Sequence, residues 1–368
     1  IFMPNEARFP VHLEDVNIEA FEPMPTPADI KRLVPMTDKA AASVAEGRRT
    51  VRRILKGEDA RLLVITGPCS VHDPKAAMDY AGRLKALADE LGDVLYLVMR
   101  VYFEKPRTVT GWKGFINDPG MDGSFRIGEG MTRARRLMID VSEVGLPIAT
   151  EALDPSGPQY LGDLVSWYAI GARTSESQTH REMASGLSAP VGFKNSTDGA
   201  LAASINAVKA SRSSHHFLGM YEDGRSAVVL TRGNPDGHLV LRGGGGRPNF
   251  DTVSVFLAEK ALEAAGLPKR LIVDCSHANS FKDPALQPFV LRDCLAQIEN
   301  GNRSIRGLML ESNIHEGNQK IPADLSQLKY GVSVTDACIS WETTEAILRE
   351  AAEKLRRLRQ ERSSTAPA

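Results

Sequence analysis

Residue types that bind metals and anions recur at one kind of place in this 368-residue chain, the end of a short apolar run. Cys69 follows LLVITGP, His277 follows LIVDCS, Glu311 follows RGLML, and Asp336 lies in YGVSVTDACISW. A thiolate, an imidazole and two carboxylates suit a divalent transition metal. The thiolate argues against magnesium or calcium, which prefer all-oxygen shells. Each residue alone has a plainer explanation, since a free Cys is commonly a small buried hydrophobe. Four such ligand types at run ends outweigh it. A second set is cationic: Arg100, Lys105, Arg107, Arg173, Lys194 and Arg242. Unmatched buried charge costs on the order of several kcal/mol, so these imply an anionic ligand with more than one charged group. Arginine forks fit phosphate and carboxylate oxygens. The plainer alternative is rim salt bridges. Glu151, after LPIAT, is read as the one strand-end acid outside the metal set. It is a general acid/base or an ion-pair partner of Lys194 or Arg173, and both readings stand.

Eight apolar runs carry these residues, ending at Cys69, Arg100, Glu151, Arg173, Lys194, Arg242, His277 and Glu311. Runs this short between helical stretches read as buried parallel strands. The expected fold is α/β, a (β/α)8 TIM barrel, whose site lies where the strands end. Helical patterns are expected over residues 37–56, 74–91, 130–144, 158–165, 176–186, 199–212, 250–265, 284–300 and 342–362. Residues 1–60 read as an N-terminal extension, a Pro-rich arm without strong period followed by a helix. Residues 61–360 read as the catalytic barrel and 361–368 as a flexible tail. Two intervals are too long for a simple unit. VYFEKPRTVTGWKGFINDPGMDGSFRIGEG follows Arg100 on the catalytic rim, where long loops bind substrate. Residues 215–237 alternate around EDGR, a hairpin signature, and fall before the sixth barrel strand on the opposite face. Arm and hairpin together suggest assembly or regulation. GGGG at 243–246 reads as a mobile turn, His215 and His216 as structural, and Trp112 as a packing anchor.

With 42% hydrophobic and 25% charged residues the chain reads as soluble and globular. A net charge of -1 gives no reason to expect nucleic acid or an anionic membrane. No apolar run spans a bilayer, and the first residues lack a signal-peptide pattern. Four cysteines make no disulfide framework, so a reducing cytoplasm is expected.

The stretches GPCSVHDP, MRVYFEKPRTVTGWKG, IGARTSESQTHREMASGLSAPVGFKN, DGHLVLRGG, DCSHANS, ESNIHEGNQ and GVSVTDACISWE resemble those of the type I 3-deoxy-D-arabino-heptulosonate-7-phosphate (DAHP) synthases. They cover nearly the whole barrel and depart nowhere from the family pattern. The resemblance implies condensation of phosphoenolpyruvate with D-erythrose 4-phosphate, with one divalent ion (manganese, iron or cobalt). Cys69, His277, Glu311 and Asp336 match the family's metal ligands. Arg100, Arg173, Lys194 and Arg242, with the Gly171-Ala172 backbone, match its phosphoenolpyruvate contacts. Lys105, Pro106, Arg107 and Thr108 match its erythrose 4-phosphate contacts. Lys105, Glu151, Lys194 and His277 are the implied catalytic groups.

The resemblance also implies feedback control and a homotetramer built from two dimers. Matching effector positions are Asp15 from a neighbouring subunit's arm, Pro155, Gln159, Ser188, Phe217 and Gly219. The phenylalanine-sensitive form has serine where Gly219 stands. Glycine leaves room for a phenol hydroxyl, so tyrosine is the expected effector. If Cys338 approaches Cys69, metal loss would permit a disulfide; an inert buried Cys338 is the alternative. Two other functions compete with this reading. A related barrel synthase using arabinose 5-phosphate conflicts with the KPRT stretch and the arm and hairpin. A catalytically dead phosphosugar sensor would lack a ligand or rim cation, and none is missing.

Overall fold

A computed structural model describes residues 13–106 and 111–365. The arm carries a helix that the sequence reading did not anticipate, α1 (Pro27–Leu33). Thr26 caps it, Pro27 fills its first turn, and Asp29 returns the cap to the Thr26 backbone. α2 (Asp38–Lys56) follows, capped by Thr37 and stopped by Gly57 at φ 79°. The barrel then runs β1 (Leu62–Gly67), α3 (Pro74–Leu91), β2 (Leu95–Arg100), α4 (Ile127–Glu143), β3 (Ile148–Glu151), α5 (Gly157–Leu161), β4 (Trp167–Ile170), α6 (Gln178–Gly186), β5 (Val191–Lys194) and α7 (Ala202–Ser211). The hairpin strands are β6 (His216–Met220) and β7 (Ser226–Leu230). β8 (His238–Leu241), α8 (Thr252–Ala264), β9 (Leu271–Asp274), α9 (Gln287–Glu299), β10 (Ile305–Glu311) and α10 (Trp341–Thr365) follow, the last carrying helix into residues 361–365, which were expected to be tail.

Eight strands close in the order β1-β10-β9-β8-β5-β4-β3-β2, all neighbours parallel. This is the expected (β/α)8 barrel. Strand alternation makes two cores. Leu63, Ile65, Val98, Ala149, Trp167, Val240, Ile272 and Met309 fill the interior, and Val51, Ile54 and Leu55 of α2 join them. The extension helix is thus part of the barrel's packing. Leu62, Val64, Leu97, Val191 and Leu271 belong instead to the core between sheet and helices. Trp167 donates to His238 Nε2 at 3.0 Å inside the barrel. Gly192 makes the room, since a Cβ there would sit 2.4 Å from the Trp167 ring.

The hairpin forms a separate antiparallel sheet. Its turn accepts the Ala28 N–H on Glu222 O at 2.9 Å, which ties it to α1. His215 is structural as expected: its Nε2 lies 2.7 Å from Ala210 O. Trp112 is partly buried against the core and donates to Asp118 O at 2.8 Å. No helix among the described residues is long and apolar enough to cross a membrane.

Candidate active site

Seven strand ends deliver a side chain to the same cleft, and Glu311 at the eighth lies directly beside it. Arg100, the last residue of β2, is 2% exposed. Its guanidinium donates to Pro68 O (3.0 Å), Cys69 O (3.2 Å) and Glu311 Oε1 (2.9 Å), and stacks 3.6 Å from the Tyr102 ring centroid. Glu311 ends β10, its backbone clamped at both N–H and C=O by the Gln287 amide. Burial alone would raise the Glu311 carboxyl; His277, Arg100 and Lys105 bring it down to about 2. Burial, with the Glu311 charge, pushes the Cys69 thiol up. Lys105 Nζ donates to Cys69 Sγ at 3.1 Å.

The donor set fits a divalent transition ion. Cys69 Sγ and carboxylate oxygens of Glu311 and Asp336 lie within 4.8 Å of one another. His277 stands beside this trio rather than inside it, its Nε2 3.9 Å from Glu311 Oε1. Its backbone is left-handed (φ 59°), and its Nδ1 lies 2.9 Å from Asp274 Oδ2.

The cleft, of about 200 Å³, is lined by Cys69, Arg100, Lys105, Pro106, Glu151, Gly171, Ala172, Arg173, Lys194, Arg242, His277 and Asp336, all expected from sequence. Arg107 and Thr108 lie outside the described residues. Lys105, Arg173 and Arg242 have no carboxylate within 4.0 Å among the described residues. Cations without a carboxylate partner on one rim are what an anionic ligand requires. The Arg242 backbone is fixed by Asn195: its Oδ1 accepts the Arg242 backbone N–H at 2.8 Å, and its Nδ2 donates to Gly243 O at 2.8 Å. The GGGG stretch that follows is packed at Gly243 and Gly244 and exposed at Gly245 and Gly246. A Cβ on Gly244 would come 2.2 Å from Gly199 N.

Three residues were missed. Lys282 and Thr335 line the cleft. Lys282 Nζ is 3.7 Å from Asp336 Oδ1. Its sequence signal was only proximity to His277. The third is Asp274, the last residue of β9, so Glu151 is not the one strand-end acid outside the metal set. Asp274 was hidden within LIVDCS, read as a run leading to His277. It takes the Lys194 ammonium at 2.8 Å. Glu151 accordingly forms no ion pair with Lys194 or Arg173; its Oε1 is buried without a hydrogen-bond partner among the described residues. Gly171 permits that placement, since a Cβ there would sit 2.4 Å from Glu151 Oε1.

A second cavity, of about 610 Å³, lies between the hairpin and the barrel flank. It gathers Pro155, Gln159, Ser188, Phe217 and Gly219 with Arg48, Tyr168, Met183 and Val229. Asp15 is exposed in the arm at φ 57° and does not line it. A smaller cavity lies between the two sites; it shares Glu151 with the cleft and shares Pro158 and Tyr168 with the hairpin cavity. Glu104 also lines it, and burial with Asp154 and Glu151 nearby raises its carboxyl to about 8. Cys338 Sγ accepts the Cys69 N–H at 3.4 Å, and both cysteines are free and buried.

The model of the DAHP synthetase I family matches residues 33–349. The Tyr-sensitive phospho-2-dehydro-3-deoxyheptonate aldolase of Escherichia coli (strain K12) is 58% identical over 338 residues, 92% of this chain and 95% of that protein. The Phe-sensitive enzyme of the same organism is 51% identical over 339 residues, 92% and 96% of the two chains. A solved phospho-2-dehydro-3-deoxyheptonate aldolase from Francisella tularensis SCHU S4 superposes with a TM-score of 0.90 at 44% identity, over 92% of this chain and 99% of that one. The barrel, its reactive strand ends and these likenesses agree: the chain belongs to the DAHP synthetase I family.

Proposed function

We infer that this chain condenses phosphoenolpyruvate with D-erythrose 4-phosphate, giving DAHP and inorganic phosphate. This is the first step of the shikimate pathway to aromatic amino acids, and tyrosine inhibits it. The observation that carries the reading is the set of rim cations without a carboxylate partner among the described residues, Lys105, Arg173 and Arg242, beside the Cys69, Glu311 and Asp336 donors.

The chemistry follows from the residues. Arg100, Arg173, Lys194 and Arg242 hold the phosphate and carboxylate of phosphoenolpyruvate, with the Gly171-Ala172 backbone against the phosphate. Lys105, Pro106, Arg107 and Thr108 hold erythrose 4-phosphate. A divalent ion held by Cys69, His277, Glu311 and Asp336 would supply Lewis acidity at the aldehyde oxygen. The methylene carbon attacks the aldehyde carbon, and Lys105 Nζ protonates the new alkoxide. Water adds at the phosphate-bearing carbon, Glu151 and Lys194 assist its proton transfer, and the C–O bond to phosphate breaks. An unpartnered buried carboxylate oxygen is poised to accept such a proton.

For the effector, the support is the cavity lined by Gly219 and the higher identity to the Tyr-sensitive than to the Phe-sensitive relative. The reading includes manganese, iron or cobalt as the ion, a cytoplasmic location, and a homotetramer in which Asp15 completes a neighbour's effector site. Residues 1–60 and 215–237 serve assembly and regulation, 61–360 catalysis. Phosphate release assayed with erythrose 4-phosphate and with arabinose 5-phosphate, with and without chelator, tests the activity. Tyrosine, phenylalanine and tryptophan titrations test the control. Turnover only with erythrose 4-phosphate, lost on chelation and inhibited best by tyrosine, is expected.

A further inference from the structure

Asp274 is the most fully engaged acid in the cleft wall. It is 1% exposed, at the end of β9. Its Oδ2 accepts Lys194 Nζ at 2.8 Å and also lies 2.9 Å from His277 Nδ1. Its Oδ1 accepts the Ser276 N–H at 3.0 Å and the Ser276 hydroxyl at 2.6 Å. The Asn279 amide donates to its carbonyl at 2.9 Å. Oδ1 thus serves both Ser276 donors and Oδ2 the Lys194 ammonium, while His277 Nδ1 stands beside the carboxylate with Ser276 Oγ at 2.8 Å. One oxygen joins a side chain assigned to phosphoenolpyruvate to a side chain assigned to the metal.

We propose that Asp274 is a positioning residue that sets the metal ligand His277 and the phosphoenolpyruvate anchor Lys194 from one buried carboxylate. The Ser276 hydroxyl donates to Asp274 Oδ1, so Ser276 Oγ, 2.8 Å from His277 Nδ1, must accept there; with Asp274 Oδ2 2.9 Å from the same nitrogen, this fixes the Nδ1–H tautomer and leaves the Nε2 lone pair facing the Glu311 side. Accepting from Lys194 holds that ammonium in place with two N–H bonds free for the cleft. No other carboxylate within 4.0 Å of Lys194 Nζ exists among the described residues. Asparagine cannot substitute. Its NH₂ would face either the Lys194 and His277 donors or the Ser276 donors, so one pair is always lost. The proposal rests on the metal and phosphoenolpyruvate assignments made above and goes beyond them by coupling the two.

The test uses full-length protein and two ligands measured without turnover. Mn²⁺ affinity is read from the free-ion electron paramagnetic resonance signal, and phosphoenolpyruvate affinity by calorimetry at saturating Mn²⁺. Asp274→Asn is expected to weaken both by about tenfold or more, the usual cost of removing the partner of a ligating histidine. In a Lys194→Met background, Asp274→Asn should leave phosphoenolpyruvate affinity within about twofold while still weakening Mn²⁺, because its route to that substrate is gone. Asp274→Glu keeps the charge but displaces the carboxylate by a methylene, and the same paired loss is expected. It serves if the asparagine variant does not fold. The proposal is overturned if a folded variant, by circular dichroism, binds both ligands as the native chain does. It is equally overturned if only one ligand is weakened, or if phosphoenolpyruvate weakens further in the Lys194→Met background. A native chain that binds neither ligand would instead overturn the site assignments themselves.

Discussion

The cleft at the strand ends and the cavity beneath the hairpin are built by different means. The cleft draws single residues from all round the barrel, from Cys69 to Asp336, and most of its lining side chains are charged. The hairpin cavity is larger, about 610 against about 200 Å³, and comes from a few contiguous segments rich in apolar and small residues, such as Pro155 to Gln159 and Phe217 to Met220. Reaction chemistry needs groups at fixed points, which rigid strand ends supply. An apolar wall is defined by shape, which one side-chain volume can reset. The two regions should therefore respond differently to substitution.

The largest expected effect is in the cleft. Lys105→Ala should lower kcat by about 10²–10⁴-fold while Mn²⁺ binding persists, as expected when a proton donor is removed. Near-normal turnover would remove Lys105 from its assigned role.

Glu104 probes the space between the regions. Its folded carboxyl sits near 8, above the value of 4.5 for an unperturbed group. The stability it contributes is therefore full below pH 4.5 and is lost as pH rises toward 8. Glu104→Gln removes that slope. In thermal unfolding scans the variant should gain on the native chain with pH, by up to roughly 4 kcal/mol at pH 8. A gap that is constant from pH 5 to 8 would contradict the buried like-charge picture.

A smaller effect is expected in the hairpin cavity. Gly219→Ser should weaken tyrosine inhibition by about tenfold and favour phenylalanine, the scale of one changed contact in an apolar pocket. A Cβ at this position would lie 2.6 Å from Val229 Cγ2, so the serine must also displace that side chain. Adding Val229→Ala separates the causes. If tyrosine sensitivity returns, crowding decides the preference; if it does not, the hydroxyl does. An unchanged inhibition profile in Gly219→Ser would remove this residue from effector choice.

The smallest test is a thiol count. Aerobic chelation should convert Cys69 and Cys338 to a disulfide, lowering the titratable thiols of the unfolded chain from four to two. An unchanged count means that Cys338 is an inert neighbour.

The barrel was legible because its strands are short, apolar and parallel, and each has a charged or thiol side chain at its last residue or within the next three. The hairpin was legible because EDGR marks a turn between alternating runs. α1 was not, because its seven residues sit among prolines and much of its support is remote, such as the Ala28 bond to Glu222 and the Arg135 bond to Val34 O at 2.8 Å. Asp274 escaped notice because an acid at the end of an apolar run looks like the start of the next motif. Its meaning depends on Lys194, 80 residues away. The effector residues had no local pattern at all. They come from segments far apart in the chain, and only the family resemblance pointed to them before the fold brought most of them together.

The hairpin's separateness from the barrel sheet has a practical side. A two-stranded ribbon is marginal by itself, and this one pairs with no barrel strand. Its tip, residues 221–225, is exposed, with the Arg225 side chain 82% accessible. Such tips are where proteases cut first. Brief trypsin treatment should thus nick the chain after Arg225 and leave every barrel strand whole. The nicked enzyme would still make product but would no longer obey its end product.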